Sequence, residues 1–100
     1  MKVRKHVSEV VQIDLTEIAF WYNQQRKGLG MLFLKEIRKE VRKIEKNPLA
    51  YQIRYANIRI AFINKFLYGI HFEYLEDKLQ VNILAVFHTS RNTKNWENKL

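Results

Sequence analysis

The sequence predicts an α+β fold: an N-terminal strand, an antiparallel helical hairpin and then a three-stranded antiparallel meander. Two observations predict it. Apolar residues recur with a period of about 3.6 before Pro48, which is typical of helices, and with a period of about two after it, which is typical of strands. Gly28 and Pro48 also stand where the two helices are expected to end. The chain has 100 residues, and we expect residues 1–100 to form a single domain.

The first half of the chain is predicted to contain one strand and two helices. Residues 2–7 form the strand, and Ser8 is a suitable N-cap for a helix with Glu9 in its first turn. Because glycine tolerates a left-handed backbone, that helix is expected to stop at residues 28–30. The second helix ends before Pro48, since proline disfavours helical geometry in the preceding residue. The apolar stripes predicted to face the core are Val11, Leu15, Ile18 and Tyr22 on the first helix and Phe33, Ile37, Val41 and Ile44 on the second.

The second half is predicted to contain three strands, over residues 58–63, 68–74 and 79–87. Residues 51–55 are expected to extend the first of them, and polar residues suit the turns between them. One face of the resulting sheet is expected to pack on the helices. Strict alternation places the polar residues on the other face, which we expect to carry Arg59, His71, Glu73, Asn82 and His88.

The charge of the chain indicates an anionic partner. Eighteen Lys and Arg against ten Asp and Glu give a formal net charge of +8, which attracts nucleic acid, the ribosome or an acidic protein. No apolar run approaches the roughly 18 residues of a membrane span, so we expect no membrane partner. The absence of cysteine is compatible with a reducing compartment, and we expect a cytoplasmic protein. The chain contains no cysteine, widely separated histidines and no phosphate-binding glycine motif. We therefore expect neither a metal nor another cofactor.

The segment that ends the last predicted strand carries the residues best suited to chemistry. His88 is a candidate acid or base, because the unperturbed pKa of histidine is about 6.5. Arg91 and Trp96 follow it and would place a cation and a large aromatic side chain on the same rim. In the alternative interpretation His88 is a capping residue, and Trp96 anchors the tail on the body instead of stacking on a base.

Further candidate binding residues lie on the preceding strands. Arg54, Arg59 and Arg91 are predicted to bind anions, because a guanidinium is permanently charged and pairs with phosphate or carboxylate in a fork. His71 is a candidate for contacts with a target. For Arg59 the alternative is a structural ion pair with Glu73 on the neighbouring strand.

A series of short motifs, in order along nearly the whole chain, resembles one known family. The motifs are Asp14-Leu15-x-x-Ile18, Trp21-Tyr22, Gly28-Leu29-Gly30-x-x-Phe33-Leu34-x-x-Ile37, Asn47-Pro48, Ile58-Arg59, Phe66-x-Tyr68-x-Ile70-x-Phe72, Ala85-Val86-x-His88 and Arg91-x-x-x-x-Trp96. With them the chain resembles the RelE/ParE superfamily of toxins from bacterial type II toxin–antitoxin modules, of the kind called plasmid stabilisation proteins. Two positions depart from the family pattern, since Leu67 and Thr93 stand where proline is common.

The resemblance implies a growth-inhibiting toxin that a cognate antitoxin neutralises in a hetero-oligomer. ParE-like members inhibit DNA gyrase, whereas RelE-like members are mRNA interferases that cleave mRNA on the ribosome. In a RelE-like endoribonuclease His88 would be the base, and Arg59 and Arg91 would stabilise the phosphate charge. The Gly-Leu-Gly, Phe-x-Tyr and Val-x-His-x-x-Arg elements are more similar to ParE-like sequences, which favours gyrase inhibition. A third hypothesis, a non-toxic basic module that binds nucleic acid, stays open, and so does enzymatic activity.

Overall fold

Within residues 2–90, which the computed structural model describes, two helices pack on one face of a five-stranded sheet. The α+β architecture predicted from the sequence, with a helical hairpin between an N-terminal strand and an antiparallel meander, is confirmed. The elements are β1 (Arg4–Val7), α1 (Glu9–Gln25), α2 (Leu29–Lys46), β2 (Ile53–Tyr55), β3 (Ile58–Phe62), β4 (Tyr68–Leu75) and β5 (Gln80–His88), with short 3-10 turns at Pro48–Ala50 and Glu76–Lys78.

The strands of the sheet lie in the order β1-β5-β4-β3-β2. β1 pairs with β5 in parallel, and the other neighbouring strands in this sheet pair antiparallel. β2 differs from the prediction, because this segment does not extend β3 but folds back beside it as a separate strand. The reversal passes through Ala56, whose φ of 46° lies in the left-handed region. β1 and β2 are therefore the two edges of the sheet.

α1 begins after Ser8, as the sequence predicts. The Ser8 Oγ accepts a hydrogen bond from the backbone N–H of Val11 at 3.2 Å and so satisfies one of the N–H groups that the first turn leaves without a helical partner. We expect Ser8→Ala to lower the free energy of unfolding by about 1 kcal/mol, measured by urea denaturation. Thr16→Ala is the control, because Thr16 is an exposed residue in the middle of α1. Equal losses in the two variants would contradict a capping role.

Two glycines that the sequence assigns to one helix stop have separate roles. Gly28 precedes α2 with φ 88°, and no atom lies within 4 Å of the position that a Cβ would take. Gly30 lies inside α2, where a Cβ would stand 2.2 Å from the backbone oxygen of Ala19 on α1. Its N–H donates to the Asn23 Oδ1 at 2.8 Å. Gly28 therefore provides the turn, and Gly30 provides the close approach of the two helices.

The main core lies between the helices and the sheet. The predicted helical stripes face it: Val11, Phe33, Ile37, Val41 and Ile44 are buried, and Leu15, Ile18 and Tyr22 pack against them. Aromatic rings fill one end of this core. The ring centroids are 5.0 Å apart for Tyr22 and Phe66 and 5.4 Å apart for Phe33 and Tyr68. This packing holds the first residue of β4, Tyr68, against the helices.

A β-bulge in β5 changes which side chains share a face. β4 pairs His71 with Ala85 and Phe72 with Ile83, so Leu84 is an extra residue in β5. Beyond the bulge Val86, and not Ala85, lies in the main core. Because side chains alternate along a strand, His88 lies on the same face as Val86. The prediction that His88 lies on the face away from the helices is therefore wrong.

The face of the sheet away from the helices is also less polar than predicted. Tyr55, Ile58 and Ile60 form a second buried cluster there, and Leu84 packs against it. The alternate β3 residue Ala61 belongs to the main core, so Arg59 lies on the helix-facing side. The expectation that Arg59 lies on the open face is wrong, because β3 carries apolar residues on both faces and alternation does not tell them apart.

Candidate functional site

His88 lies in a cleft against α1, at the end of β5. We call this the His88 cleft, and its lining residues include Asp14, Glu17, Ile18, Trp21, Tyr22, Tyr68 and His88. The Tyr68 ring stands edge-on to the imidazole, with the centroids 5.2 Å apart and the planes at 83°. Tyr68 is itself held by the aromatic packing of the core, so the wall beside His88 is built by β4 and α1 together.

Hydrogen bonds from Ser90 determine which nitrogen of His88 is free to react. The backbone N–H of Ser90 donates to the His88 Nδ1 at 3.1 Å, and the Ser90 Oγ lies 2.8 Å from the same nitrogen. A nitrogen that accepts an N–H bond carries no proton, so in the neutral ring the proton is on Nε2. In this tautomer the Nε2 can donate a hydrogen bond and offers no lone pair to a hydroxyl.

The charges in the His88 cleft do not match a phosphate. Asp14 and Glu17 both line it, and carboxylates repel a phosphate anion while they attract a cation. Aromatic faces, here supplied by Trp21 and Tyr22, also attract cations. Among residues 2–90 this cleft therefore suits a basic or aromatic side chain of a protein partner better than an RNA backbone.

Arg59 is held by a hydrogen bond to the backbone of Tyr51, away from the His88 cleft. Its Nη1 donates to the backbone oxygen of Tyr51 at 2.6 Å, and the Tyr51 hydroxyl donates to the Glu40 Oε2 at 2.8 Å. Burial of the phenol, together with its hydrogen bond to the Glu40 carboxylate, raises the pKa of Tyr51 above its usual range. The alternative ion pair with Glu73 is not formed in the described part of the chain. Arg59 pairs with Phe72, so the next residue, Glu73, lies on the opposite face of the sheet, where it accepts a hydrogen bond from the Asn82 Nδ2.

Arg59 and His88 do not form one site. Arg59 pairs with Phe72 of β4 and His88 pairs with Tyr68, four residues earlier on the same strand. With about 3.3 Å per residue and about 4.8 Å between strands, their Cα atoms are on the order of 16 Å apart. The side chains of Ile70 and Phe72 belong to the core that lies between them. The predicted catalytic arrangement of these two residues around a single phosphate is therefore absent from the described residues.

Arg54 and His71 lie on the face of the sheet away from the helices. The Arg54 guanidinium stands 5.4 Å from the ring centroid of Phe62, a cation–π arrangement at the surface. His71 has 0% of its surface exposed, and its Nδ1 lies 2.8 Å from the Tyr55 hydroxyl. Burial lowers the pKa of His71 to about 4, so the ring is neutral at neutral pH. The prediction of His71 on a polar, open face is wrong, because Tyr55 and Phe87 enclose it.

Arg91 and Trp96 lie outside the described residues, so their predicted roles beside His88 stay predictions. Within residues 2–90 no three His, Cys, Asp or Glu side chains are grouped so that they could hold a metal ion. In the same part of the chain no helix combines the length and the apolar character that crossing a membrane requires.

Comparison with solved structures identifies the fold. No family model and no curated protein matches the sequence. A chain from the chromosomal ParDE TA system of P. aeruginosa superposes with a TM-score of 0.74 at 13% identity, covering 86% of this chain and 95% of that chain. The isolated E. coli RelE toxin superposes with a TM-score of 0.65 at 13% identity, covering 96% and 94%. The chain has the RelE/ParE fold. The structural part of the resemblance predicted from the motifs is confirmed.

Sequence reasoning missed one surface of this RelE/ParE fold, a second apolar face on α1. The exposed fractions of its side chains are 64% for Val10, 52% for Ile13, 65% for Phe20 and 56% for Trp21. Residues 10, 13 and 20 are one and then two further helical turns apart and so share one side of the helix. The same spacing is present in the sequence, but the core stripe that begins at Val11 already accounts for the helical periodicity of this segment. Several large exposed apolar side chains on one side of a helix are typical of a protein–protein contact surface.

Proposed function

We propose that this chain is the toxin of a bacterial type II toxin–antitoxin module and that it arrests growth in the ParE manner, by inhibiting DNA gyrase. The RelE/ParE fold supports the first half of the proposal. The formal net charge of +8 supports it too, since such a field favours encounters with an acidic antitoxin and with a DNA-bound target. Gyrase is a cytoplasmic enzyme, and the protein would act there.

The observation that carries the choice of gyrase over mRNA is the hydrogen bonding of His88. A ribonuclease base must present a nitrogen lone pair to the 2′-hydroxyl, whereas the Nδ1 lone pair of His88 is occupied by the N–H of Ser90. The carboxylates of Asp14 and Glu17 beside the ring also oppose the approach of a phosphate. Arg59, the second residue of a ribonuclease site, is hydrogen-bonded to Tyr51 at a distant point of the sheet.

The exposed face of α1 supports the proposed antitoxin partner. Val10, Ile13 and Phe20 offer an apolar strip, and burial of such a strip by a partner is favourable in proportion to the area removed from water. An amphipathic antitoxin segment with apolar residues for this strip would cover it. The charged residues of α1 are Glu9, Asp14 and Glu17, so the acidic residues of the antitoxin would meet cations elsewhere on the chain. Such segments are often disordered until they bind, which allows one short chain to wrap over a helical hairpin and a sheet.

Two assays run side by side test the proposed target. We expect the chain, expressed without a partner, to arrest growth, and the purified protein to inhibit DNA supercoiling by gyrase without cleaving mRNA during translation. His88→Ala is expected to retain this inhibition, since no proton transfer is required of it. Loss of a general base slows a reaction by about 100-fold or more, so the ribonuclease hypothesis expects near-complete loss. His6→Ala, an exposed imidazole on β1, is the matched control.

The outcomes separate the alternatives. Translation-dependent mRNA cleavage that His88→Ala abolishes would overturn gyrase inhibition and leave a RelE-like toxin. A chain that does not arrest growth, yet binds naked RNA or DNA with an affinity that falls steeply with salt, would instead support a basic nucleic-acid-binding module. Inhibition of supercoiling by both histidine variants would support the proposal.

A further inference from the structure

An open apolar cavity lies on the side of the fold opposite the β2 edge. It lies between β1, the two helices and the sheet, and its volume is about 160 Å³. We call it the β1 cavity. Its apolar walls include Val11, Ile37, Val41, Ile70, Ile83 and Val86, which are all buried residues of the main core. The cavity therefore reaches from the surface to side chains of the main core.

The chemistry of the walls determines what could occupy the β1 cavity. An apolar cavity gives water too few hydrogen-bond partners, whereas one of about 150 Å³ accommodates a molecule the size of benzene. The space therefore suits an apolar group of about six carbon atoms. Because the cavity is open to solvent, such a group could carry a polar head that stays at the surface.

The rim of the cavity is cationic. Lys5, Arg38 and Arg42 are the charged residues among its lining, and none of the lining residues is acidic. Arg38 and Arg42 are one helical turn apart on α2, so their side chains are neighbours. In the described part of the chain neither arginine forms an ion pair, while the Lys5 Nζ lies 3.7 Å from the Glu45 Oε1. The guanidinium groups of Arg38 and Arg42 are therefore available to bind an anion at the rim of the β1 cavity.

We propose that the β1 cavity binds a small anionic amphiphile: an apolar group of about six carbons in the cavity and one carboxylate held by Arg38 and Arg42. The apolar walls supply the burial, and the guanidinium groups supply charge-assisted hydrogen bonds to the carboxylate. This site adjoins the His88 cleft at Val86, which lines both, but Asp14, Tyr68 and His88 do not line it. The proposal is independent of the target of the protein.

Titration of the full chain with hexanoate, followed by methyl NMR, tests the proposal. We expect saturable shifts of the methyl signals of Ile37, Ile70 and Ile83, which line the cavity, and none at Ile60, which lies in the cluster on the other face of the sheet. Hexan-1-ol has the same apolar body without the charge, and acetate has the charge without the body. Hexanoate is expected to bind about tenfold more tightly than hexan-1-ol, and acetate is expected not to shift these methyl groups.

Charge variants on the surface of α2 provide the second part of the test. Arg38→Gln and Arg42→Gln together are expected to weaken hexanoate binding about tenfold and to leave hexan-1-ol binding unchanged. Lys39→Gln, an exposed α2 cation that does not line the cavity, is the matched control. Val41→Phe, which fills the cavity, is expected to abolish binding of both ligands, and the surface variants decide the question if it does not fold.

Three results would overturn the proposal. The first is no saturable shift with hexanoate at millimolar concentration. The second is equal affinity for hexanoate and hexan-1-ol, which would mean that the carboxylate does not contribute to binding. The third is equal weakening by Lys39→Gln and by the paired arginine variant, which would indicate a general effect of net charge and not a site at the rim.

Discussion

Gly30→Ala is expected to be among the most damaging single substitutions in this chain, although it adds only one methyl group. That methyl would stand 2.2 Å from the Ala19 oxygen and 2.9 Å from the Asn23 Cγ. The oxygen belongs to the backbone of α1, so no rotamer change relieves the clash and the two helices must separate. Overpacking of this kind lowers the free energy of unfolding by as much as about 3 kcal/mol. For a chain of this size that corresponds to a fall in Tm of roughly 15 °C, measured by thermal denaturation.

Gly28→Ala is the matched control for this prediction. No atom lies near the new methyl group, and the only penalty is the left-handed backbone at φ 88°, which costs about 1 kcal/mol for a residue with a Cβ. We therefore expect a loss several times smaller than that of Gly30→Ala. Equal losses would contradict the separate roles of the two glycines, and a stable Gly30→Ala protein would contradict the close packing of the helices.

The architecture could be predicted from the sequence because its signals are local. The Ser8 cap, the apolar stripes of the helices and the change of period after Pro48 each depend on neighbouring residues, and each agrees with the structure. The two glycines were harder to assign. A glycine at a turn and a glycine at a helix contact look alike in sequence, since only the partner helix reveals which atom a Cβ would meet.

The candidate site could not be predicted because it depends on sheet register. A single extra residue, Leu84, transfers His88 from one face of the sheet to the other, and no turn residue or proline in β5 marks the bulge. For Arg59 the difficulty is different. Its neighbours Ile58, Ile60 and Ala61 are all apolar, so the pattern identifies a strand without identifying its core side. The polar face expected from alternation is instead a small apolar cluster, with His71 enclosed beside it.

Acid is expected to destabilise the protein through His71. The folded-state pKa is lowered from 6.5 to about 4, because burial disfavours the charged ring. Between these values the unfolded chain binds a proton that the folded chain does not, so stability falls as the pH falls from 6.5 to 4 and is regained above 6.5. With about 1.36 kcal/mol per pKa unit, the loss reaches about 3 kcal/mol at pH 4. This loss is measured as the change in the free energy of unfolding, determined by urea denaturation at several pH values.

His71→Phe isolates this contribution, because phenylalanine fills a similar space and does not titrate. The variant loses the contact with the Tyr55 hydroxyl at every pH, which shifts its stability by a constant, and the carboxylates titrate alike in both proteins. The difference in free energy between wild type and variant should therefore change by about 3 kcal/mol between pH 7 and pH 4. His6→Gln, which removes an exposed imidazole on β1, is the control variant. Parallel curves for wild type and His71→Phe would mean that the imidazole charges within the fold, and that the interior beside Tyr55 and Phe87 admits a cation.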